Sequence, residues 1–279
     1  MQSPTSSGKR TRTPDVKKKM DWLHWLFTAL LTADFLLVLA ANSLALNLPG
    51  RAGWPEALLI LLATVATITA LKRQLPLQNV LLASFIIALF GGAVHALGAT
   101  MEIPFGPFIF GAEAGPQLFK TLPWPMPLIW VVMILNSRGV ARLVLRPWRK
   151  IRNYGFWLVG LTTVLALLFD LAFDPAASRV KHYWLWMPTK FPVTWQGAPV
   201  VNFLSWAAVS VLMLAISTPV LINKNPTRRG PDYYPLVVWL GALMLFGIIS
   251  ARHGIWAAAV VDGVGMVAVA VFAIRGGRW

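Results

Sequence analysis

Long apolar runs decide what this chain can become. Several reach ~18–22 residues, the length needed to cross a ~30 Å hydrocarbon core. Backbone inside that core finds no water, so its N–H and C=O groups must pair within a helix or a closed barrel. A barrel would read as short segments of alternating hydrophobicity. These runs do not alternate, and the helix is the consistent reading. Only 13% of the 279 residues are charged and 57% are hydrophobic, against about 25% charged in soluble domains.

The expectation is an all-α, polytopic transmembrane helical bundle of eight spans. They fall near 22–46, 55–71, 79–99, 126–144, 155–173, 199–222, 234–250 and 254–274. The runs at 55–71 and 234–250 are short, so seven spans is the alternative. Residues 1–20 are rich in Ser, Thr, Lys and Arg and read as a disordered basic tail, leaving 21–279 as one transmembrane domain. A basic tail before an apolar run has the outline of a signal peptide. The run is long, contains Asp34 and shows no small-residue cleavage site, so a retained first helix is expected.

The formal net charge of +15 would suit a nucleic-acid binder, but its distribution does not. Lys and Arg gather at span ends and in tails, as topology signals do. With the N-terminus inside, 19 of the 25 fall on inner segments. The other six, Arg51, Lys120, Arg179, Lys181, Lys190 and Arg252, fall on outer ones. That excess predicts an integral protein of a bacterial cytoplasmic membrane with both termini cytoplasmic and no nucleic-acid partner. Cysteine is absent, which excludes disulfides, thiolate catalysis and Cys-ligated metals.

Ionisable groups inside a bilayer are costly and default to a functional reading. Here they cluster towards the outer side. His95 lies near the end of the third span, with Glu102 and Glu113 in the loop beyond it. Asp170 and Asp174 close the fifth span, Asn202 opens the sixth and His253 the eighth. Asp34 and Asp262 sit near mid-membrane and would floor an outer pocket, or would hydrogen-bond between helices. Asp170 and Asp174 share a face if their helix continues. Alternatively, Asp174 caps a new helix with Pro175 at its first position. His95 is read as a satisfied core histidine or as a base. The His and carboxylate spacings match no metal-binding box, and no GxGxxG follows a strand, so neither metal nor cofactor is expected.

The loop after His95 is dense in Gly and Pro yet holds Phe105, Phe108, Ile109 and Phe110. It is expected to fold in between spans three and four, with Pro104, Gly106, Gly115 and Pro116 shaping it. A second loop carries Trp184, Trp186 and Trp195, which suit an interfacial aromatic belt. The run IPFGPFIF with Gly115-Pro116, Leu118, Pro123, Pro127 and Trp130 resembles a signature of the CruF-type carotenoid hydratases. Asp170, Asp174-Pro175, Trp184-x-Trp186 and Gly197-x-Pro199-x-x-Asn202-Phe203-x-x-Trp206 resemble its second part. The chain departs from that pattern at Phe108 and Phe110, where tyrosines are expected, and at Ala96, where an acid is common. Between Trp186 and Gly197 it is longer, with Trp195 in place of a tyrosine pair.

The resemblance implies addition of water across the terminal C1=C2 bond of an acyclic carotenoid end group, by acid–base catalysis without a cofactor. The polyene would enter from the bilayer among membrane lipids, with water as co-substrate and other carotenoid enzymes as candidate partners. Such an alkene is a weak base, so it needs a strong, water-shielded acid. Its tertiary cation needs aromatic faces, and the attacking water needs a base. Asp170 is the first candidate acid, with Glu102, Glu113 and Asp174 as rivals and His95 as base or water-orienting group. Asn202 is a water anchor, and Asp34, Phe105, Phe108, Phe110, Trp184, Trp186, Trp206 and Asp262 are candidate substrate contacts. The alternatives are isomerisation or cyclisation through the same protonation, or a carotenoid- or lipid-binding scaffold.

Overall fold

The computed structural model describes residues 14–46, 53–189, 193–222 and 230–279. Residues 1–13 of the basic tail, with Arg51, Lys190, Lys224, Arg228 and Arg229 from the charge count, lie outside the described residues. Among the described residues eight long helices carry the fold. They are α1 (Pro14–Leu44), α2 (Trp54–Lys72), α3 (Leu77–Met101), α4 (Met126–Val144), α5 (Tyr154–Asp174), α6 (Val200–Ser217), α7 (Tyr234–Arg252) and α8 (Trp256–Gly277). All eight are long and apolar enough to cross a membrane, including the two short runs. Bulky apolar side chains such as Phe85, Leu89, Phe156, Leu204 and Val264 point outward. In water that surface would be a liability; in lipid it is the solvent-facing side.

The core is built around α4, which packs against α2, α3, α5, α7 and α8. It buries Trp130, Met133, Ile134 and Val140 completely or nearly so. Lipid tails are as apolar as leucine, so close packing has to hold such helices together. Gly91 supplies one close approach: a β-carbon there would lie 2.5 Å from the Trp130 ring. The indole therefore seats against α3.

Side-chain bonds sort the helix ends into two sets. At one end Gln74 meets Asp232 and Arg142, and Asn79 donates to the Val220 carbonyl. At the other, Lys181 pairs with Glu56 and Arg252 donates to the Asn42 carbonyl. The second end carries both unusual loops. Among the described residues they contain six short strands: β1 (Phe108–Phe110), β2 (Gln117–Leu118), β3 (Leu122–Pro123), β4 (Trp184–Trp186), β5 (Thr194–Trp195) and β6 (Ala198–Pro199). β2–β3 and β5–β6 are local hairpins, whereas β1 pairs with the distant β4.

Candidate functional site

The β1–β4 ladder joins the loop after α3 to the loop after α5. It is antiparallel, with Phe108 opposite Trp186, Ile109 opposite Leu185 and Phe110 opposite Trp184. Backbone bonds from Gly111 to the Tyr183 carbonyl and from Met187 to the Pro107 carbonyl, both 2.9 Å, extend it. Alternate residues of a strand share a face. Phe108, Phe110, Trp184 and Trp186 therefore turn inward, while Ile109 and Leu185 are exposed. The inward rings touch, at 5.2 Å between Phe108 and Phe110 and 5.5 Å between Phe108 and Trp186. Gly111 permits the approach, since a β-carbon there would lie 2.0 Å from the His182 carbonyl oxygen.

Beneath this ribbon lie the two aspartates of α5. The helix does not stop at Asp174 but runs on through a π-helical turn, Pro175–Val180. Proline has no N–H to give the carbonyl four residues back, which here is that of Leu171. Trp195, on β5, donates its indole N–H to the same Leu171 oxygen at 3.1 Å. A side chain from the next loop thus brings a donor to the carbonyl that the proline cannot serve. Asp170 and Asp174 thus share a face, and both are almost fully buried.

One amide serves both carboxylates. Asn202, in the first turn of α6, donates through Nδ2 to Asp170 Oδ2 at 3.0 Å and to Asp174 Oδ2 at 3.4 Å. Asp174 Oδ1 accepts from Trp186 Nε1 and lies against Ser178 Oγ, each at 3.0 Å. Asp170 Oδ1 is buried without a hydrogen-bond partner.

His95 completes the wall. Trp130 donates its indole N–H to His95 Nδ1 at 3.3 Å. Indole is a donor only, so Nδ1 is the acceptor and the ring proton of a neutral imidazole sits on Nε2. While that bond holds, Nε2–H is a donor. The ring packs on Phe105 at 4.4 Å and stands edge-on to Trp206, which stacks on Trp130 at 4.0 Å. A cavity of about 230 Å³ opens among His95, Phe105, Phe108, Met126, Asp174, Trp184, Trp186, Asn202 and Trp206.

The remaining candidates lie elsewhere. Glu102 is exposed and ends α3 in a left-handed turn (φ 63°), lining neither this cavity nor the next. Glu113 is exposed on the short 3₁₀ turn Ala112–Ala114 and edges a second cavity. Asp34 sits on peripheral α1, which packs on α2 and α7, and Asp262 on α8 lies against α7 at Gly247. Both are buried, and neither is among the residues lining these two cavities. In the first loop Gly106 and Gly115 have φ of 94° and 90°, a region that favours glycine. The Pro104 carbonyl accepts from Ser205 of α6 at 2.6 Å, and that of Pro116 from the Trp124 N–H at 3.1 Å.

Ser178, Met126 and the Trp195–Leu171 bond were not anticipated. Ser178 stands one helical turn after Asp174, a spacing that reads as a contact only once the helix is known to continue past Pro175.

Comparison with known proteins gives a consistent picture. A family model described as "Carotenoid biosynthesis protein" matches residues 56–270. The bisanhydrobacterioruberin hydratase of Haloarcula japonica is 29% identical over 135 residues, which is 47% of this chain and 43% of that protein. The match thus spans under half of that relative's length. No solved structure matches.

Proposed function

The chain belongs to the carotenoid biosynthesis protein family, and on that premise we propose that it adds water across the terminal C1=C2 double bond of an acyclic carotenoid. The observation that carries this reading is the Asp170–Asn202–Asp174 bridge beside an aromatic-lined cavity. The hydratase named among its relatives supports the same class of chemistry.

Two carboxylates that share a water-poor site work as a unit, and we assign the pair one proton between them. The protonated carboxyl delivers that proton to C2, breaking the π bond and leaving a tertiary cation at C1. Trp206, Trp186 and Phe105 offer π faces to that charge. Water adds through oxygen to C1, and its extra proton goes to the free carboxylate, so the pair ends as it began. Asp174 lines the cavity and meets the alkene; Asp170 lies one helical turn deeper and holds the second site. This moves the leading role from Asp170 alone to the pair. His95, with its proton on Nε2, anchors the water as a donor rather than taking a proton from it. No step requires a metal or organic cofactor. The end of the bundle with the ribbon faces away from the cytoplasm of a bacterial inner membrane, as the charge asymmetry directs.

Expression in a bacterium that makes lycopene, with mass spectrometry of its pigments, tests the reading. The expected result is a gain of one water for each modified end. A new product of unchanged mass would replace hydration with isomerisation or cyclisation, and unaltered pigment would favour a binding scaffold.

A further inference from the structure

The cavity at the aspartates has a larger neighbour. This chamber, of about 410 Å³, lies between the start of α2, the corner leading into α4, and α5. Met126 and Trp184 line both spaces and form the partition between them. Ala57, Ile60, Pro125, Ile129 and Phe173 give the chamber an apolar lining. Its charged groups are spoken for or peripheral: Glu56 pairs with Lys181 at 2.6 Å, and Glu113 is exposed. Tyr183 also lines it, and remains a neutral phenol. Burial first, then the negative charges of Glu56 and Glu113, push its proton release well above the usual range.

The ribbon lines both spaces with aromatic side chains in edge-to-face contact. Phe108 and Trp186 lie over the cavity that holds Asp174, and Phe110 lines the chamber, with Trp184 at the partition. Nothing in the acid chemistry uses Phe110 or the chamber.

We propose that the chamber is the binding subsite for the isoprenoid chain attached to the reacting end group. This rests on the hydration reading, and two observations lead to it. The smaller cavity suits an end group but not a polyene, so the rest of the substrate must leave it in some direction. The chamber adjoins it under the same row of aromatic side chains, whose edge-to-face packing leaves an apolar, polarisable wall that suits a conjugated chain. The aspartates then read the end of the molecule, while Phe110, Ile60 and Ile129 read the polyene beyond it. Preference for a long substrate over a short one resides in the chamber.

Ala57→Phe and Ile129→Trp narrow the chamber without touching the aspartates. Each is assayed in membranes with two substrates: a full-length acyclic carotenoid, and a short acyclic terpene bearing the same terminal trisubstituted double bond. Hydration of the long substrate is expected to fall about tenfold further than that of the short one, the scale of a pocket-filling change. Equal losses on both substrates, or no loss, in both variants would overturn the chamber assignment. Should the wild type hydrate only the long substrate, or neither, the same variants are read by quenching of tryptophan fluorescence with the polyene. Quenching that is strong in the wild type and weakened at least severalfold in the variants upholds the chamber, even where the absence of hydration sinks the reaction. Quenching unchanged in the variants, or abolished by excess phospholipid, assigns the space to no ligand or to a lipid tail.

Discussion

Trp186 donates its indole hydrogen to Asp174 Oδ1 at 3.0 Å, so the ribbon that roofs the cavity is also bonded to the carboxylate within it. Roof and acid are one unit, and changes in either are expected to reach the other.

Asp174→Asn and Asp170→Asn preserve shape and remove a titratable oxygen. Each is expected to lower hydration by about 10²–10⁴-fold, the range of a general acid or base, with near-normal membrane levels. Pigment analysis normalised to protein by immunoblot checks this. Near-normal turnover in either variant would remove that residue from the pair.

Trp195→Phe deletes the donor that replaces the missing N–H of Pro175. A buried carbonyl left unpaired costs about 1–3 kcal/mol. The expected outcome is a lower unfolding temperature in detergent, together with reduced activity because the Asp174 turn loosens. A melting curve recorded by circular dichroism, paired with the pigment assay, separates the two effects. An unchanged melting point would show that the Leu171 carbonyl finds another donor.

His95 offers a sharper comparison. Glutamine carries an amide donor of similar reach, whereas alanine carries none. His95→Gln is expected to retain more hydration than His95→Ala, consistent with a water-holding donor. Equal loss in the two variants would favour a base instead.

Gly111→Val drives a side chain into the His182 carbonyl and should break the β1–β4 ladder. Overpacking of this kind costs about 1–3 kcal/mol. Gly160, whose added β-carbon meets nothing within 4 Å, provides the control as Gly160→Ala. Yield of monodisperse protein on size exclusion is expected to fall for the first and hold for the second.

Topology is tested by paired reporter fusions, one after Trp279 and one within the exposed segment Pro116–Lys120. Eight spans place them on opposite sides of the membrane, the first cytoplasmic. Two reporters on one side would contradict the bundle.

The positions of the helices could be read from the chain because the length of an apolar run is itself the physical requirement for spanning a bilayer. The span expected at 155–173 matches Tyr154–Asp174 almost residue for residue, and the same logic pointed to the outer end, where the aspartates and Asn202 meet. The ribbon could not be read. A three-residue strand such as Phe108–Phe110 has too few positions to show alternation, and its partner lies beyond two intervening helices. Asp174-Pro175 was ambiguous for a different reason. Local rules allow either a cap or a continuing helix, and the deciding donor, Trp195, comes from another loop. The surroundings of Asp34 and Asp262 could not be read either, because depth along a helix says nothing about which neighbour the helix face meets.

The ribbon also imposes a sequence of events on the making of this protein. Its strands flank α4 and α5, and the amide that bridges the aspartates arrives only with α6. A nascent chain halted after four helices already carries His95, Trp130 and the first loop, yet has neither acid nor roof. On the proposed reading, catalytic competence is a late property of synthesis, acquired when the sixth helix enters the membrane. Half-made chains would be inserted but inert.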